Sequence, residues 1–260
     1  MNKVELVSMV RNNRPDDLKE WVDYYFAIGF DKITIFDNES TFSVKELFSN
    51  YKNIDVREII IDDLLDRVLP PTYEAIGKEK EDEKNYIAFL DDDEYIYIKN
   101  NKNIKDILNN EMEVLCLFWK YLSSYELLED RETTIIDTFN YTTAYNPERN
   151  DKMQVKSIVN FNKCKDVKWG LDGPHLPIVN NSITTITGGI IRNGYGYEPM
   201  TINFYDNQEM YIYHYLFQTH RDWLFKRERR PHASDIFYNR PGNYTVLDNN
   251  MIDKKRELKI

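Results

Sequence analysis

The chain has 260 residues, with 34 Lys and Arg against 44 Asp and Glu, a formal net charge of −10, and 14% aromatic residues that include 19 Tyr and 13 Phe. This length suits one large domain with a sizeable core, and the acidic balance excludes a general polyanion binder, so nucleic acid is not an expected partner. No stretch reaches the roughly 18 apolar residues of a transmembrane segment, and the Met1–Val7 opening lacks the apolar run of a signal peptide, so a cytoplasmic location is expected.

The first 100 residues alternate strand and helix. Val4 to Val10 is a predicted strand, and Pro15 opens a helix at a position where a missing N–H costs nothing. Leu18, Trp21, Val22, Tyr25 and Phe26 fall on one helical face, and Gly29 is the expected left-handed cap. Lys32 to Phe36 is the second strand, Val44 to Tyr51 a helix, Val56 to Ile61 the third strand, and Tyr73 to Lys84 a polar helical stretch. Tyr86 to Leu90, short and apolar, reads as a strand buried on both faces. This order predicts a mostly parallel sheet with right-handed crossovers.

Beyond Glu94 the pattern changes. Tyr95 to Ile98 and Val114 to Trp119 read as strands, and Ile104 to Leu108 as a helical turn. Thr184 to Tyr197 contains Asn193-Gly194, a hairpin signal. Thr219 and Asp222 have capping-box spacing ahead of a helix from His220 to about Arg229. The residues from Asn249 onward read as a charged, frayed tail. With no Gly- or Ser-rich linker, residues 1–260 are expected to form a single domain, with a nucleotide-binding half (1–100), an acceptor-side half (101–248) and the tail (249–260). Cys116 and Cys164 lack ligand spacing and read as buried free thiols. Asn140-Tyr141-Thr142 is then a chance glycosylation triplet. Nothing in the sequence sets an oligomeric state.

In open α/β sheets ligands bind beyond the carboxyl ends of the strands. Arg11-Asn12-Asn13, Asp37-Asn38-Glu39-Ser40 and Asp91-Asp92-Asp93-Glu94 all follow strand ends, so all three should face one crevice. The last segment is the most informative. Four consecutive acids repel one another unless a positive charge joins them, and a hard divalent cation, Mn²⁺ or Mg²⁺, with further ligands from a diphosphate is one solution. A solvated acidic loop is the other. An EF-hand is excluded because the loop lacks its Gly and distal Glu.

These residues bear a family likeness. Arg11-Asn12-Asn13, then Leu18 to Tyr25, Ile28 to Ile33 and Phe36 to Ser40, resembles the "RNE…yLkEWvdYh…lGfdkiyiyDNeSsD" opening of family 92 and related family 2-like glycosyltransferases. Phe89 to Ile96 resembles their "flDiDEFi", Lys156 to Val159 their "KsIv", and His214-Tyr215 with Thr219, Asp222, Trp223 and Lys226 their "HY…kS.eef..K". Asn13 stands where the family has Glu, and Tyr95 where it has Phe. The resemblance implies a GT-A type α/β fold: a Rossmann-like, mostly parallel central sheet flanked by helices, with a smaller mixed β region in the C-terminal half. It implies a nucleotide-sugar donor and a metal site at Asp91 and Asp93 with His214 as a late ligand. It also places Arg11, Asp37, Asn38, Asp92, Lys156 and Lys226 at the donor.

Asp172 and His175, in the turn-rich stretch Gly170 to His175, are candidate catalytic groups on the side of a glycan or glycoconjugate acceptor. The expected reaction is metal-assisted, inverting glycosyl transfer. Two alternatives stay open. A nucleotidyltransferase acting on a sugar phosphate would use a similar sheet, but usually with a Gly-rich loop after the first strand; here that loop is Arg11-Asn12-Asn13-Arg14-Pro15. A non-catalytic carbohydrate-binding protein would not need the acidic cluster.

Overall fold

A computed structural model of the chain describes residues 3–60, 85–108, 112–143, 155–164, 168–169, 177–178, 183–185, 190–191, 208–216, 218–229 and 244–260. The N-terminal half contains β1 (Lys3–Val10), α1 (Pro15–Ala27), β2 (Lys32–Asn38), α2 (Val44–Leu47), β3 (Ile54–Ile59), β4 (Asn85–Phe89) and β5 (Glu94–Ile98). Then come α3 (Ile104–Ile107), β6 (Val114–Tyr121), α4 (Ile135–Thr138), β7 (Tyr141–Thr143) and β8 (Val155–Asn160). The remaining elements are β9 (Lys168–Trp169), β10 (Pro177–Ile178), β11 (Ile183–Thr185), β12 (Ile190–Ile191), β13 (Met210–His214), α5 (His220–Arg229), β14 (Tyr244–Leu247) and α6 (Asn250–Leu258).

The sheet runs β12-β11-β6-β8-β4-β1-β2-β3. β3, β2, β1 and β4 are mutually parallel. β8 enters antiparallel between β4 and β6, and β11 runs parallel to β6. Of the eight described strands in this order, six therefore share one direction, and β8 and β12 oppose it. This is the α/β, mostly parallel, Rossmann-like sheet expected of a GT-A type domain. The smaller mixed region is built where the last residues of β6 pair parallel with β13, which runs antiparallel to β5. Separate two-stranded sheets join β7 to β14 and β9 to β10.

Strand alternation divides the apolar side chains between the two faces. Val4, Leu6, Val10, Ala88 and Ile158 join the α1 side chains Leu18, Trp21, Val22, Tyr24 and Tyr25 in the larger core. Val7, Phe36, Ile87, Phe89, Val114, Cys116 and Val159 form the second core on the opposite face. Both cysteines are free and buried, and burial pushes each thiol up to about 12.

Helix α1 begins at Pro15, with Asp16 and Asp17 in its first turn, where carboxylates favour the helix dipole. It stops at Gly29, whose φ of 107° lies in the left-handed region. A Cβ there would also meet the Asn103 side chain at 2.1 Å, so two constraints select glycine.

Three expectations are corrected. Helix α2 has only four residues, because Phe48 turns into the core and packs edge-on to Tyr51 as the chain reverses toward β3. The third strand starts earlier, at Ile54, and ends at Ile59. The charged tail is not frayed: it forms α6, with Met251 1% exposed and in contact with the Tyr24 hydroxyl, and Lys255 paired to Glu20 and Asp137. Met251→Ala is therefore expected to cost about 2–5 kcal/mol in urea unfolding; an unchanged midpoint would show that α6 contributes nothing to the core. The Asn193-Gly194 turn and the stretch from Tyr73 to Lys84 lie outside the described residues. β11 and β12 do pair antiparallel, Ile183 opposite Ile191.

Candidate active site at the carboxyl end of the sheet

The acid turn joins β4 to β5 and closes on itself. The Glu94 amide donates to the Asp91 carbonyl at 3.1 Å, and the Asp91 amide donates to Glu94 Oε2 at 2.9 Å. Two α1 aromatics fix the exit of the turn: Trp21 Nε1 and the Tyr25 hydroxyl both donate to the Glu94 carbonyl.

The sheet register then delivers the partners. Tyr86 lies opposite Asn160 and Ala88 opposite Ile158, so the same ladder carried on two residues sets Leu90 level with Lys156. The Lys156 side chain is 1% exposed, and its Nζ lies 3.0 Å from Asp91 Oδ2 and 3.5 Å from Glu94 Oε2. On the other side, β13 places His214 opposite Glu94, and the Tyr215 amide donates to the Asp93 carbonyl. His214 Nε2 lies 3.3 Å from Asp93 Oδ1. Its ring packs on Trp119 at 4.2 Å, and its buried Nδ1 has no hydrogen-bond partner among the described residues. The sequence-predicted Asp91, Asp93, Lys156 and His214 thus meet at one turn, brought there by three strands.

Their electrostatics differ. The surrounding protein pushes the Asp91 carboxyl up, but the Lys156 ammonium outweighs this and holds it below its ordinary value. Glu94, fully buried, is pushed well above the carboxylate range by desolvation and by repulsion from Asp91 and Asp93, against the opposing pull of Lys156.

The ends of β1 and β2 are laced together. Asn12 and Glu39 both hold positive φ, at 53° and 56°, a region that Asn tolerates better than most residues. The Asn12 amide donates to Ser40 Oγ, and the Thr41 amide donates to Asn12 Oδ1. The Ser40 amide donates to Asp37 Oδ1, while Arg11 stands 4.0 Å from Glu39. Asp37 and Asn38 are buried at the end of β2. Since β1 lies between β2 and β4, strand spacing sets Asp37 roughly 10 Å across the sheet from the acid turn.

A cavity of about 470 Å³ opens at this edge. Asn12, Asn13 and Arg14 line it from the β1 end, Thr41 and Phe42 from the β2 end, and Asp92 and Asp93 from the acid turn. Its far wall is Arg131, Ile135, Gln218, Arg221 and Asp222. That wall is a charge network. Arg131 binds Asp17 through both terminal nitrogens and Asp222 Oδ2 through Nε. Arg14 binds Asp222 at 3.0 Å and also Asp130, which Arg221 reaches as well. Asp222 closes the expected capping box with Thr219. Burial raises the Asp222 carboxyl, but the facing Arg131 and its other partners bring it below its ordinary value.

Asp172 and His175 lie outside the described residues, and Lys226 lies in α5 with its side chain outside them. The sequence reading did not single out Arg131, Gln218 or Arg221. Arg131 sits in an unpatterned acidic stretch, and no local signal pairs it with Asp17, 114 positions away. Among the described residues, no group of three or more His, Cys, Asp or Glu could hold a metal ion, and no helix is long and apolar enough to cross a membrane.

No protein-family model matches the chain, and no curated protein matches it. Solved structures give weak likenesses. Residues 1–349 of TarS from S. aureus align at 16% identity and a TM-score of 0.37, covering 65% of this chain and 51% of that one. The same TarS fragment in complex with UDP aligns at 17% identity and a TM-score of 0.36. The 4-diphosphocytidyl-2C-methyl-D-erythritol synthase of Anaerococcus prevotii aligns at 9% identity and 0.35, covering 62% of this chain and 71% of its own. The chain spans about half the length of the TarS fragment. Likenesses this weak add nothing to the fold described above, which stands on its strand order and registers.

Proposed function

We propose that this chain is a metal-dependent glycosyltransferase, related to family 92 and the family 2-like enzymes, that moves a sugar from a nucleotide-sugar donor to a hydroxyl of a glycan or other glycoconjugate. The observation that carries this reading is the cavity in which the ends of β1, β2 and β4 meet the acid turn and a wall supplied by the C-terminal half. Nucleoside and diphosphate would lie along the strand ends, with Arg11, Asp37 and Asn38 on the nucleoside side.

The donor chemistry suits Mn²⁺ or Mg²⁺. Asp91 and Asp93 would offer hard oxygens beside the diphosphate, and His214 Nε2, now facing Asp93 Oδ1, would join only as a late ligand, since among the described residues the three do not already form a metal cluster. When bound, the ion would neutralise the departing nucleoside diphosphate. The chain's own residues do the rest. The turn hydrogen bonds hold Asp91, the His214–Asp93 contact orients both side chains, and the far wall positions an acceptor and excludes water. Asp222 is a poor general base, because two guanidinium groups already occupy its carboxylate. Asp172 and His175 remain the proposed catalytic groups, in an inverting reaction. The nucleotidyltransferase reading gains no support from the β1 loop, where Arg14 turns to Asp130 and Asp222.

A thermal-shift panel of nucleoside diphosphates, each with and without Mn²⁺, tests the reading. One nucleotide should raise the melting temperature by several degrees only with the ion, and His214→Ala should remove that gain. A flat response across the whole panel would count against nucleotide-sugar chemistry.

A further inference from the structure

The acid turn already contains a cation. Lys156 is buried at 1% exposure, 3.0 Å from Asp91 and 3.5 Å from Glu94, with its ammonium 5.9 Å above the Trp119 ring. At this depth its ammonium is held by these two carboxylates. Its neighbours complete a compact box. Trp119 packs against His214, His214 faces Asp93, and the buried Glu94 Oε1 and His214 Nδ1 lack hydrogen-bond partners among the described residues. One ammonium beside Asp91 halves the negative charge that the Asp91–Asp93 pair presents to an incoming divalent ion. It also repels that ion at short range, in surroundings that screen charge less than water does.

We propose that Lys156 is a built-in counter-cation and positioning residue of the acid turn, which fixes Asp91 and keeps the cluster's affinity for a bare divalent cation low, so that the ion is held firmly only with the diphosphate of a nucleotide. This rests on the metal-binding part of the proposed function. Lys156 secures the carboxylate geometry in the absence of ligand, and the negative charge of the diphosphate restores what the ammonium cancels. An ion–nucleotide pair then binds as a unit, and the site does not collect free ions.

The test is a titration of bare Mn²⁺, read by the loss of the free-ion electron paramagnetic resonance signal, on the parent chain and on Lys156→Met, Lys156→Gln and Lys156→Arg. The two neutral variants should bind Mn²⁺ about tenfold more tightly than the parent or better, while Lys156→Arg stays at the parental value. A residue needed only for packing would give the opposite sign, with binding weakened or unchanged. Circular dichroism selects the folded variants; the Gln side chain keeps a hydrogen-bond donor at Asp91 if Met proves too disruptive. Parental binding that persists unchanged in folded neutral variants overturns this inference alone. Failure of every protein to bind Mn²⁺ overturns it together with the metal site proposed above.

Discussion

Exchanging Arg131 for methionine is expected to cost on the order of 3–5 kcal/mol of stability, the scale for removing one partner from a buried ion pair. The Arg131 side chain is 2% exposed. It grips Asp17 through two nitrogens, reaches Asp222 with a third bond, and donates to the Thr133 carbonyl. Methionine fills similar volume but leaves the Asp17 carboxylate buried with, among the described residues, only the Ile135 amide. Urea unfolding measures the loss, and adding Asp17→Asn should recover part of it, because the two residues are coupled. A loss below about 1 kcal/mol would show that the network contributes little. The pH dependence has a definite sign. The folded Asp222 carboxyl lies below its ordinary value, so its contribution is fully present above the unfolded value of about 4 and is lost as the pH falls below it. The acid limb of the parent's stability curve should therefore be steeper than that of the variant.

Under the proposed function, Asp93→Ala should abolish sugar transfer, lowering turnover by about a thousandfold or more, since it removes a carboxylate from the group proposed to hold the charge-neutralising ion. The fold should survive. The bond that locks the turn to β13 uses the Asp93 carbonyl, which alanine keeps, so the melting temperature should stay within a few degrees of the parent. Excess EDTA on the parent should reproduce the catalytic loss. Full turnover in EDTA would reject the metal site, and a variant that also unfolds would make Asp93 a structural residue first.

Within the N-terminal half, the elements that carry their own signal were legible, whereas α2 and β3 were misplaced at their ends. β1 and β4 are short apolar runs, α1 has Pro15 at its start and Gly29 just past its end, and the acids of the turn follow β4 directly. The Thr219–Asp222 box was legible for the same reason, since its partners lie three residues apart. The far wall was not. Arg131, Asp17 and Asp222 are charged residues that local patterning assigns to the surface, and their burial depends on pairing across more than 90 positions. The α6 helix was hidden by Lys254, Lys255 and Arg256, although Met251 and Ile252 supply its apolar face. The roles of Lys156 and His214 came from family resemblance, and only the register of β8 and β13 explains why those two residues reach the turn.

The position of β8 also bears on how the molecule comes into being. β4 is bonded to β1 on one side, and its other edge is covered only by a strand that begins at Val155. On a growing chain, Tyr86 to Phe89 therefore wait with an open hydrogen-bonding edge while the intervening residues are synthesised, a template on which a second nascent copy can dock. The segments before and after residue 100 are consequently not separable modules. A fragment ending near residue 100 would keep its strand order yet expose an apolar edge, and self-association rather than activity is its natural fate. Lys156, carried on that same late strand, arrives with the strand that closes this edge, so the acid turn gains its counter-charge only once the sheet is complete.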